Sequence, residues 1–141
     1  MIKILVVPEK EFTTSQKEAI HKLEKECFGD VSRQSIEEDF IAEIYAKIFA
    51  YNGKEIVGML SVKKRLVTFA GKQIVLGGAG GVCVTESMRG RGIATEMLKK
   101  TLAILKKERC DIACLNVDVA KTAYKLYKKL GFTLMERPIS F

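Results

Sequence analysis

A short run of alternating arginines and glycines lies past the middle of the chain, at Arg89, Gly90, Arg91 and Gly92. A helical pattern starts at Ile93, so the run stands at a helix N-terminus. Backbone N–H groups without intrahelical acceptors and the positive end of the helix dipole favour an anion there. Glycine lets a phosphate approach those amides, and arginine adds positive charge. The run therefore predicts an anion site that suits a phosphate.

Two common phosphate motifs fit this chain poorly. A P-loop needs Ser or Thr after its lysine, and neither Gly53 with Lys54 nor Gly71 with Lys72 is followed by one. A dinucleotide fingerprint would place Thr95 where a third glycine or alanine belongs, although an aspartate stands near the position of the ribose-binding acid. The run also follows a predicted β-meander rather than the first strand of a βαβ unit.

The segment that leads into this run is unusually rich in glycine. Residues 77–81 contain four glycines, and Val82 and Val84 then resume a strand-like alternation. Glycine weakens a strand interior, so it marks a bulge or a place where a ligand or another backbone comes close. We therefore expect a bulged strand directly before the anion site.

The N-terminal part of the chain predicts one strand and two helices. β-Branched residues favour a strand over residues 2–7. Thr13 and Ser15 are candidate N-caps of a helix that Gly29 ends. A second, acidic helical stretch begins at Ser35.

The central part of the chain predicts a β-meander. From Ile44 onward short β-rich runs are broken at Asn52 and Gly53, a strong hairpin signal, and again at residues 70–72. The meander ends in the glycine-rich strand that precedes the anion site.

The remaining elements alternate between helix and strand. Residues 93–107 predict an amphipathic helix, 112–117 a short buried strand, and 119–130 a helix that Gly131 ends before a last strand at 132–135. The fold class is α/β (α+β): a mixed, mostly antiparallel sheet flanked by helices, in the order β-α-α-β-β-β-α-β-α-β with little or no final hairpin. The length fits a single domain over residues 1–141.

The arginine and glycine run also resembles a family signature. Arg89, Gly92 and Ala94 match the Arg/Gln-x-x-Gly-x-Gly/Ala motif of the GNAT superfamily of acyl-CoA-dependent N-acyltransferases. The resemblance covers the C-terminal half through Val82-x-Val84, the helix from Ile93 and the motif Ala123-x-x-Leu126-Tyr127-x-x-Leu130-Gly131-Phe132. The long hairpin before Val82 is similar to that of the aminoglycoside-modifying branch.

The resemblance implies acetyl-CoA or a related acyl-CoA as co-substrate. Its pyrophosphate would bind the amides of the helix N-terminus and Arg89, and its pantetheine would run along the strand at residues 82–84, where the neighbouring strand splays away. Backbone N–H groups of that strand would stabilise the oxyanion, and the glycines within residues 77–81 would allow the bulge and the close approach of the thioester. The cofactor-binding residues implied are Val82, Cys83, Val84, Arg89, Gly90, Arg91, Gly92, Ile93, Ala94 and Thr95.

The resemblance also implies direct attack of a primary amine on the thioester. Tyr127 matches the tyrosine that commonly protonates the leaving thiolate, and Tyr124 is an alternative. The general base stays open. Glu86 is the nearest carboxylate in sequence, and a water chain, an acid in the run at residues 37–39, or the C-terminal carboxylate are alternatives.

Two departures from the family pattern concern the site. Ala120 stands where many relatives have an asparagine that holds the cofactor. The chain also ends soon after Gly131, which leaves little room for a last hairpin, so a second subunit could complete the acceptor site. A homodimer is therefore possible. The acidic residues 37–43 hint at a cationic acceptor.

Charge and composition limit the other classes of function. The chain has 24 Lys and Arg against 17 Asp and Glu, a formal net charge of +7 that attracts polyanions. Aromatic residues are not interleaved with the basic ones, so we expect no nucleic-acid partner. The longest weakly polar stretch, residues 74–84, is much shorter than the roughly twenty apolar residues of a membrane span, so we expect no membrane partner.

The four cysteines do not show the spacing of a metal site. Cys27, Cys83, Cys110 and Cys114 include no C-x-x-C pair, and the one histidine is His21. We therefore expect no metal, and four reduced, mostly buried thiols in a cytoplasmic protein.

Three hypotheses of function follow. The first is an N-acetyltransferase that moves an acetyl group from acetyl-CoA to the primary amine of a small molecule, such as an aminoglycoside or a polyamine. The second is an acyl-CoA-binding regulator without turnover, in which Tyr127→Phe changes nothing measurable. The third is a basic nucleic-acid-binding module, which acetyl-CoA would not stabilise.

Overall fold

The sheet is built in chain order, because each strand pairs with the next one along the sequence. A computed structural model of the chain describes residues 1–29, 43–115 and 123–133. Within these ranges the elements are β1 (Ile2–Pro8), α1 (Thr14–Phe28), β2 (Glu43–Asn52), β3 (Glu55–Phe69), β4 (Lys72–Val84), α2 (Ile93–Lys107), β5 (Ile112–Cys114) and α3 (Ala123–Lys129). Short 3-10 turns follow β1 and β4, at Glu9–Glu11 and Glu86–Met88.

The pairing of the strands is antiparallel from β1 to β4 and parallel between β4 and β5. The expected mixed, mostly antiparallel sheet flanked by helices is confirmed. The two predicted hairpin turns are also present. Gly53 has a φ of 64°, and Ala70 and Gly71 have φ values of 51° and 80°, the left-handed conformation that tight hairpin turns require.

Helix α1 has the predicted ends. The Thr13 hydroxyl accepts a bond from the Gln16 N–H at 3.1 Å, and the Gln16 side-chain oxygen accepts one from the Thr13 N–H at 2.9 Å. This capping box selects Thr13 over Ser15 as the N-cap. Gly29 ends the helix with a φ of 71°.

Apolar clusters cover both faces of the sheet. Helices α2 and α3 pack on one face, where Met97, Leu98 and Tyr127 join buried residues of β2 and β3. Helix α1 packs on the other face, where Ile20 and Leu23 contact buried residues of β1 to β4. The burial drives the sheet and helices together, and it fixes which face each strand residue occupies.

Several predicted segments lie wholly or partly outside the described residues. They are the acidic helix from Ser35, the end of the strand at 112–117, the start of the helix at 119–130, and residues 134–135 of the last strand. Gly131 does follow α3, with a φ of 99°. No helix in the described ranges has the length and apolar composition needed to cross a membrane.

The expectation of four reduced cysteines is wrong for two of them. Cys27 of α1 and Cys83 of β4 form a disulfide, with their Cα atoms 6.0 Å apart. The packing of α1 on β4 brings together residues that are 56 positions apart, and spacing along the chain does not show such a contact. Cys110 and Cys114 are not part of this disulfide and are half-buried.

Candidate active site

The candidate active site lies where β4 ends and α2 begins. After Val84 the chain makes a 3-10 turn at Glu86–Met88, passes through Arg89 and enters α2 at Ile93. The side chains of Arg89 and Arg91 are exposed, whereas Ile93 is buried against the sheet and anchors the first turn of the helix. The loop therefore presents two cationic side chains beside a fixed helix N-terminus.

Gly90 and Gly92 are required by backbone conformation. Their φ values are 77° and 79°, in the left-handed region that L side chains rarely adopt. A Cβ atom on either glycine would meet nothing within 4 Å, so the space around both is open. The amides of the first turn of α2 have no intrahelical acceptor and the helix dipole is positive at this end, so an anion can bind in that space.

Arg89 is held at the end of β4. Its Nε donates a hydrogen bond to the Val84 carbonyl oxygen at 2.9 Å, and its backbone N–H donates to the Glu86 carbonyl at 3.3 Å. One edge of the guanidinium is thus used to fix its position. The guanidinium has five N–H donors, so others can serve an anion.

Helix α1 also contacts this loop, through a carboxylate that the sequence did not predict to be there. The carboxylate of Glu26 accepts hydrogen bonds from the Thr85 hydroxyl at 2.8 and 3.0 Å and from the Glu86 N–H at 3.3 Å. The Thr85 hydroxyl is the main cause that holds the pKa of Glu26 below its ordinary value, with the Glu86 N–H next. Contacts between residues 59 and 60 positions apart leave no local pattern that could have revealed this support.

The predicted bulge lies in β4. Met59 pairs with Cys83 and Ser61 with Gly80, so β4 uses one more residue than β3 between these pairs. Gly81, with a φ of 60°, lies inside the bulge. The extra residue sets the faces that follow: Cys83 packs on the α1 side, while Val82 and Val84 pack on the α2 side. Their backbone groups belong to the strand that the resemblance assigns to the cofactor.

Gly77 has a different role from the one that sequence reasoning gave it. A Cβ atom there would lie 2.6 Å from Leu105 Cδ2 and 3.0 Å from Cys110 Sγ. The glycine therefore lets α2 pack closely on β4. It does not make room for a thioester.

The described pairing of β5 with β4 is short. It runs from Leu76 with Ile112 to Gly78 with Cys114, whereas β4 continues to Val84. The predicted splay of the two strands falls beyond this ladder, mainly on residues 116–122, which lie outside the described ranges. Asp111, the aspartate near the position of the ribose-binding acid in a dinucleotide fingerprint, accepts a hydrogen bond from the Val75 N–H at 2.8 Å and ties β4 to the loop before β5.

Tyr127 is buried in the apolar cluster that also contains Val82 and Val84, and it is 7% exposed. Its ring makes an edge-to-face contact with Phe132, with the centroids 6.3 Å apart. Burial raises the pKa of the phenol, so the group stays protonated at neutral pH. A protonated phenol in the cluster that lines β4 can donate a proton.

The candidate general bases are only partly described. Glu86 is exposed at the start of the 3-10 turn. The carboxylates of residues 37–39, the C-terminus and Ala120 lie outside the described ranges. The role of Glu86 stays a prediction.

A buried lysine on the α1 side of the sheet was also missed. Lys47 is 5% exposed and donates a hydrogen bond to the Ser61 hydroxyl at 2.9 Å. The Lys63 side chain extends over Gly80, because a Cβ atom there would lie 3.1 Å from Lys63 Nζ. The α1 face therefore carries polar side chains next to the bulge as well as the apolar cluster that packs under α1.

Among the described residues, no group of three or more His, Cys, Asp or Glu side chains could hold a metal ion. Cys114 Sγ lies 3.5 Å from the Gly77 carbonyl oxygen, and Cys110 Sγ contacts the same residue. Both thiols therefore pack against β4.

A mixed, mostly antiparallel sheet with a bulged fourth strand and helices on both faces is the fold that the comparisons with known proteins also find. A family model of the acetyltransferase (GNAT) domain matches residues 10–135, most of the chain. The chain therefore belongs to the GNAT family and is an acetyltransferase. A comparison with curated protein sequences found no match.

Solved structures share the fold over nearly the whole chain. An acetyltransferase from Trypanosoma brucei is 16% identical, with a TM-score of 0.73 over 100% of this chain and 99% of that one. The aminoglycoside acetyltransferase AAC(6')-Iy, solved with a bisubstrate analogue of CoA and acetylneamine, is 18% identical, with a TM-score of 0.77 over 100% and 97%. A transcriptional regulator from Bacillus halodurans is 22% identical, with a TM-score of 0.69 over 100% and 99%. At such identities the likeness shows the fold alone.

Proposed function

We propose that this chain transfers an acetyl group from acetyl-CoA to a primary amine of a small molecule. The observation that carries the proposal is the loop of residues 89–92, in which two left-handed glycines and two arginines stand before the open N-terminus of α2. A pyrophosphate has the charge and size for such a site. The solved CoA complexes of AAC(6')-Iy, which share the fold, agree with this co-substrate.

Each part of the site has a distinct task in this proposal. The first-turn amides of α2 and the guanidinium of Arg89 bind the pyrophosphate, with Gly90, Arg91, Gly92, Ala94 and Thr95 forming the rest of the cradle. The backbone of β4 at residues 82–84 binds the pantetheine arm as a neighbouring strand would. The bulge at Gly81 turns the backbone N–H groups that follow it toward the thioester carbonyl.

The chemistry is direct attack by the amine nitrogen on the thioester carbonyl carbon. Backbone N–H groups of β4 stabilise the oxyanion, because fixed dipoles aimed at developing charge cost no reorganisation. The carbon–sulfur bond then breaks, and Tyr127 donates its phenolic proton to the departing thiolate. The phenol suits this role because burial keeps it protonated.

The amine must lose a proton to a base. Glu86, exposed near the end of β4, is the described carboxylate that we assign to this step, acting directly or through a water. Its backbone N–H donates to the Glu26 carboxylate, which fixes its main chain, and its side chain is exposed. A Glu86→Gln variant that keeps full kcat at all pH values would assign the base elsewhere.

The acceptor is a small molecule in this proposal, with aminoglycosides and polyamines as the first classes to test. Solved structures with the same fold include AAC(6')-Iy with an acetylneamine analogue and a soil metagenomic acetyltransferase with sisomicin. We also propose one domain over residues 1–141 and a homodimer. Light scattering that finds only a 15.8 kDa species would refute the dimer.

The test measures release of the CoA thiol from acetyl-CoA with a panel of aminoglycosides, polyamines, amino acids and short peptides. We expect release with one amine class and a rise in melting temperature with acetyl-CoA alone. Arg89→Ala should weaken both effects. Arg109→Ala is the matched control, because it removes the same charge beyond the opposite end of α2.

The outcomes separate the three hypotheses. Stabilisation by acetyl-CoA without release on any amine would favour a CoA-binding regulator. Binding of DNA or RNA with a steep salt dependence and no stabilisation by acetyl-CoA would favour a nucleic-acid module. Equal losses in Arg89→Ala and Arg109→Ala would remove the loop of residues 89–92 from the proposal.

A further inference from the structure

The disulfide links helix α1 to the strand that forms the candidate cofactor site. Cys27 lies in the last turn of α1, and Cys83 stands between Val82 and Val84 in β4. One residue before Cys27, Glu26 binds Thr85 directly after the strand. A change at this disulfide therefore acts next to the groups proposed to bind acetyl-CoA.

The two sulfur atoms differ in exposure. Cys83 is 3% exposed and faces the buried cluster under α1, whereas Cys27 is half-buried. A thiolate from solution can reach the sulfur of Cys27 more readily, so attack there would release Cys83 as the leaving thiolate. Thiol–disulfide exchange therefore begins at the sulfur of Cys27.

The buried sulfur atom also has an acceptor in place for a reduced state. Cys83 Sγ lies 3.4 Å from the Leu23 carbonyl oxygen, so a Cys83 thiol can donate to this carbonyl without a change of fold. Opening the disulfide would then leave no buried donor unpaired, which makes a reversible reaction possible.

Arg89 connects this pair to the cofactor loop. One terminal nitrogen of its guanidinium lies 3.9 Å from Cys27 Sγ, while its Nε donates to the Val84 carbonyl. A guanidinium beside a cysteine favours the thiolate form, which would then attract the guanidinium in return. Glu26, the nearby carboxylate, already accepts hydrogen bonds from Thr85 and from the Glu86 N–H.

We propose that Cys27 and Cys83 form a thiol–disulfide switch that controls cofactor binding through Arg89. In the disulfide form the Cys27 sulfur is neutral, and Arg89 is available to the pyrophosphate. In the reduced form the Cys27 thiolate pairs with Arg89 and competes with the pyrophosphate for it. The inference rests on the proposed function, since it assigns Arg89 to acetyl-CoA.

The switching reaction is a two-electron exchange with a dithiol. A dithiol thiolate attacks Cys27 Sγ, the sulfur–sulfur bond breaks, and Cys83 leaves as a thiolate that takes up a proton. The second sulfur of the dithiol then displaces Cys27, which gives the reduced pair and a cyclic disulfide of the reagent. Glutathione disulfide reverses the reaction and is reduced to two molecules of glutathione.

The first experiment measures the affinity for CoA by calorimetry in three samples: the oxidised protein, the protein reduced with dithiothreitol, and the reduced protein reoxidised with glutathione disulfide. We expect reduction to weaken binding about tenfold, equivalent to about 1.4 kcal/mol, and reoxidation to restore it. Circular dichroism checks that the reduced protein stays folded. Equal affinity in the oxidised and reduced samples would overturn the proposal.

Two serine variants separate capture of Arg89 from loss of the covalent link. Cys83→Ser keeps the Cys27 thiol and should bind CoA as weakly as the reduced protein. Cys27→Ser also lacks the disulfide but has no thiolate, so it should bind within about threefold of the oxidised protein. Equal weakening in both variants would show that the link alone matters and would overturn the role of Arg89.

The remaining cysteines supply the control. Cys110 and Cys114 lie outside the disulfide of Cys27 and Cys83, so a Cys110→Ser/Cys114→Ser variant should respond to dithiothreitol as the parent does. If Cys83→Ser does not fold, reversible reduction of the parent protein carries the test alone. Failure of the oxidised protein to bind CoA would instead refute the proposed function, so the two failures are distinct.

Discussion

Replacing Tyr127 with phenylalanine removes one oxygen atom from a buried ring and leaves its packing in place. The ring is 7% exposed and contacts Phe132 with centroids 6.3 Å apart, and phenylalanine preserves both the volume and this edge-to-face contact. We therefore expect little change in the free energy of unfolding. A loss of activity would then report the proton donor rather than a damaged fold.

The expected loss follows from the chemistry of the step. General acid catalysis by a positioned side chain contributes roughly 100- to 10,000-fold, so kcat should fall by that factor in Tyr127→Phe, equivalent to about 2.7–5.4 kcal/mol in the activation barrier. The affinity for acetyl-CoA should not change, because the phenol is not assigned to binding. The assay is steady-state release of the CoA thiol, with calorimetry for binding.

The pH profile supplies a second readout. Burial raises the pKa of Tyr127 above its ordinary value of 10.0, so the acid is fully protonated at neutral pH and is lost only in strongly alkaline solution. The parent kcat should therefore show no alkaline decline from this group below pH 10. An alkaline decline near neutral pH that disappears in Tyr127→Phe would show that the phenol titrates there and would contradict its raised pKa.

Tyr124→Phe is the matched control, since it makes the same change one helical turn earlier in the sequence. It should keep kcat within about twofold of the parent. A loss in Tyr124→Phe with none in Tyr127→Phe would transfer the role to the other tyrosine. Unchanged kcat in both variants would mean that no tyrosine of α3 protonates the thiolate.

Two further predictions concern stability. Gly77→Ala should lower the free energy of unfolding in urea by about 1–3 kcal/mol, because its Cβ would lie 2.6 Å from Leu105 in the core. Gly80→Ala is the control and should lower it less, because its Cβ would meet the flexible Lys63 side chain. Equal losses in the two variants would refute this packing argument. The hydrogen bond from Thr85 holds the pKa of Glu26 below 4.5. The Glu26 carboxylate therefore contributes to stability above that pH, and this contribution is lost as the pH falls through the lowered pKa. Glu26→Gln should therefore flatten the fall in stability below pH 4.5, as measured by urea unfolding at a series of pH values, and an unchanged slope would contradict the assignment.

Local signals in the sequence predicted most of the fold. Asn52 with Gly53 predicted a hairpin turn, Thr13 with Gln16 predicted the start of α1, and the bounds of α2 are those of its apolar period. Each of these features is decided by residues within one or two turns of each other, so a pattern along the chain is sufficient to find it.

The sequence also predicted the loop of residues 89–92, but it did not predict the contacts from α1 that support this loop. The glycines at 90 and 92 mark left-handed positions, and such positions are visible in the sequence. Glu26 and Cys27 reach the end of β4 across 56 to 62 positions, and only the packing of α1 on the sheet creates that contact. Gly77 was assigned to the cofactor for a related reason, since the sequence does not show that Leu105 packs against it.

The difference between the loop residues, which a local motif shows, and the α1 residues that contact them has a consequence for function. An anion-binding loop needs amides, left-handed glycines and an arginine, which a short motif supplies, but its affinity also depends on how rigidly those groups are held. Here α1 reaches the loop in two ways, through the Glu26 carboxylate that binds Thr85 and through the Cys27 sulfur beside Arg89. Because the disulfide can be opened chemically, the two contributions can be measured separately: reduction should lower the affinity for CoA through Arg89, whereas Glu26→Gln should lower it equally in the oxidised and reduced protein. A loss in Glu26→Gln that appears only after reduction would show that the two contacts form one support rather than two.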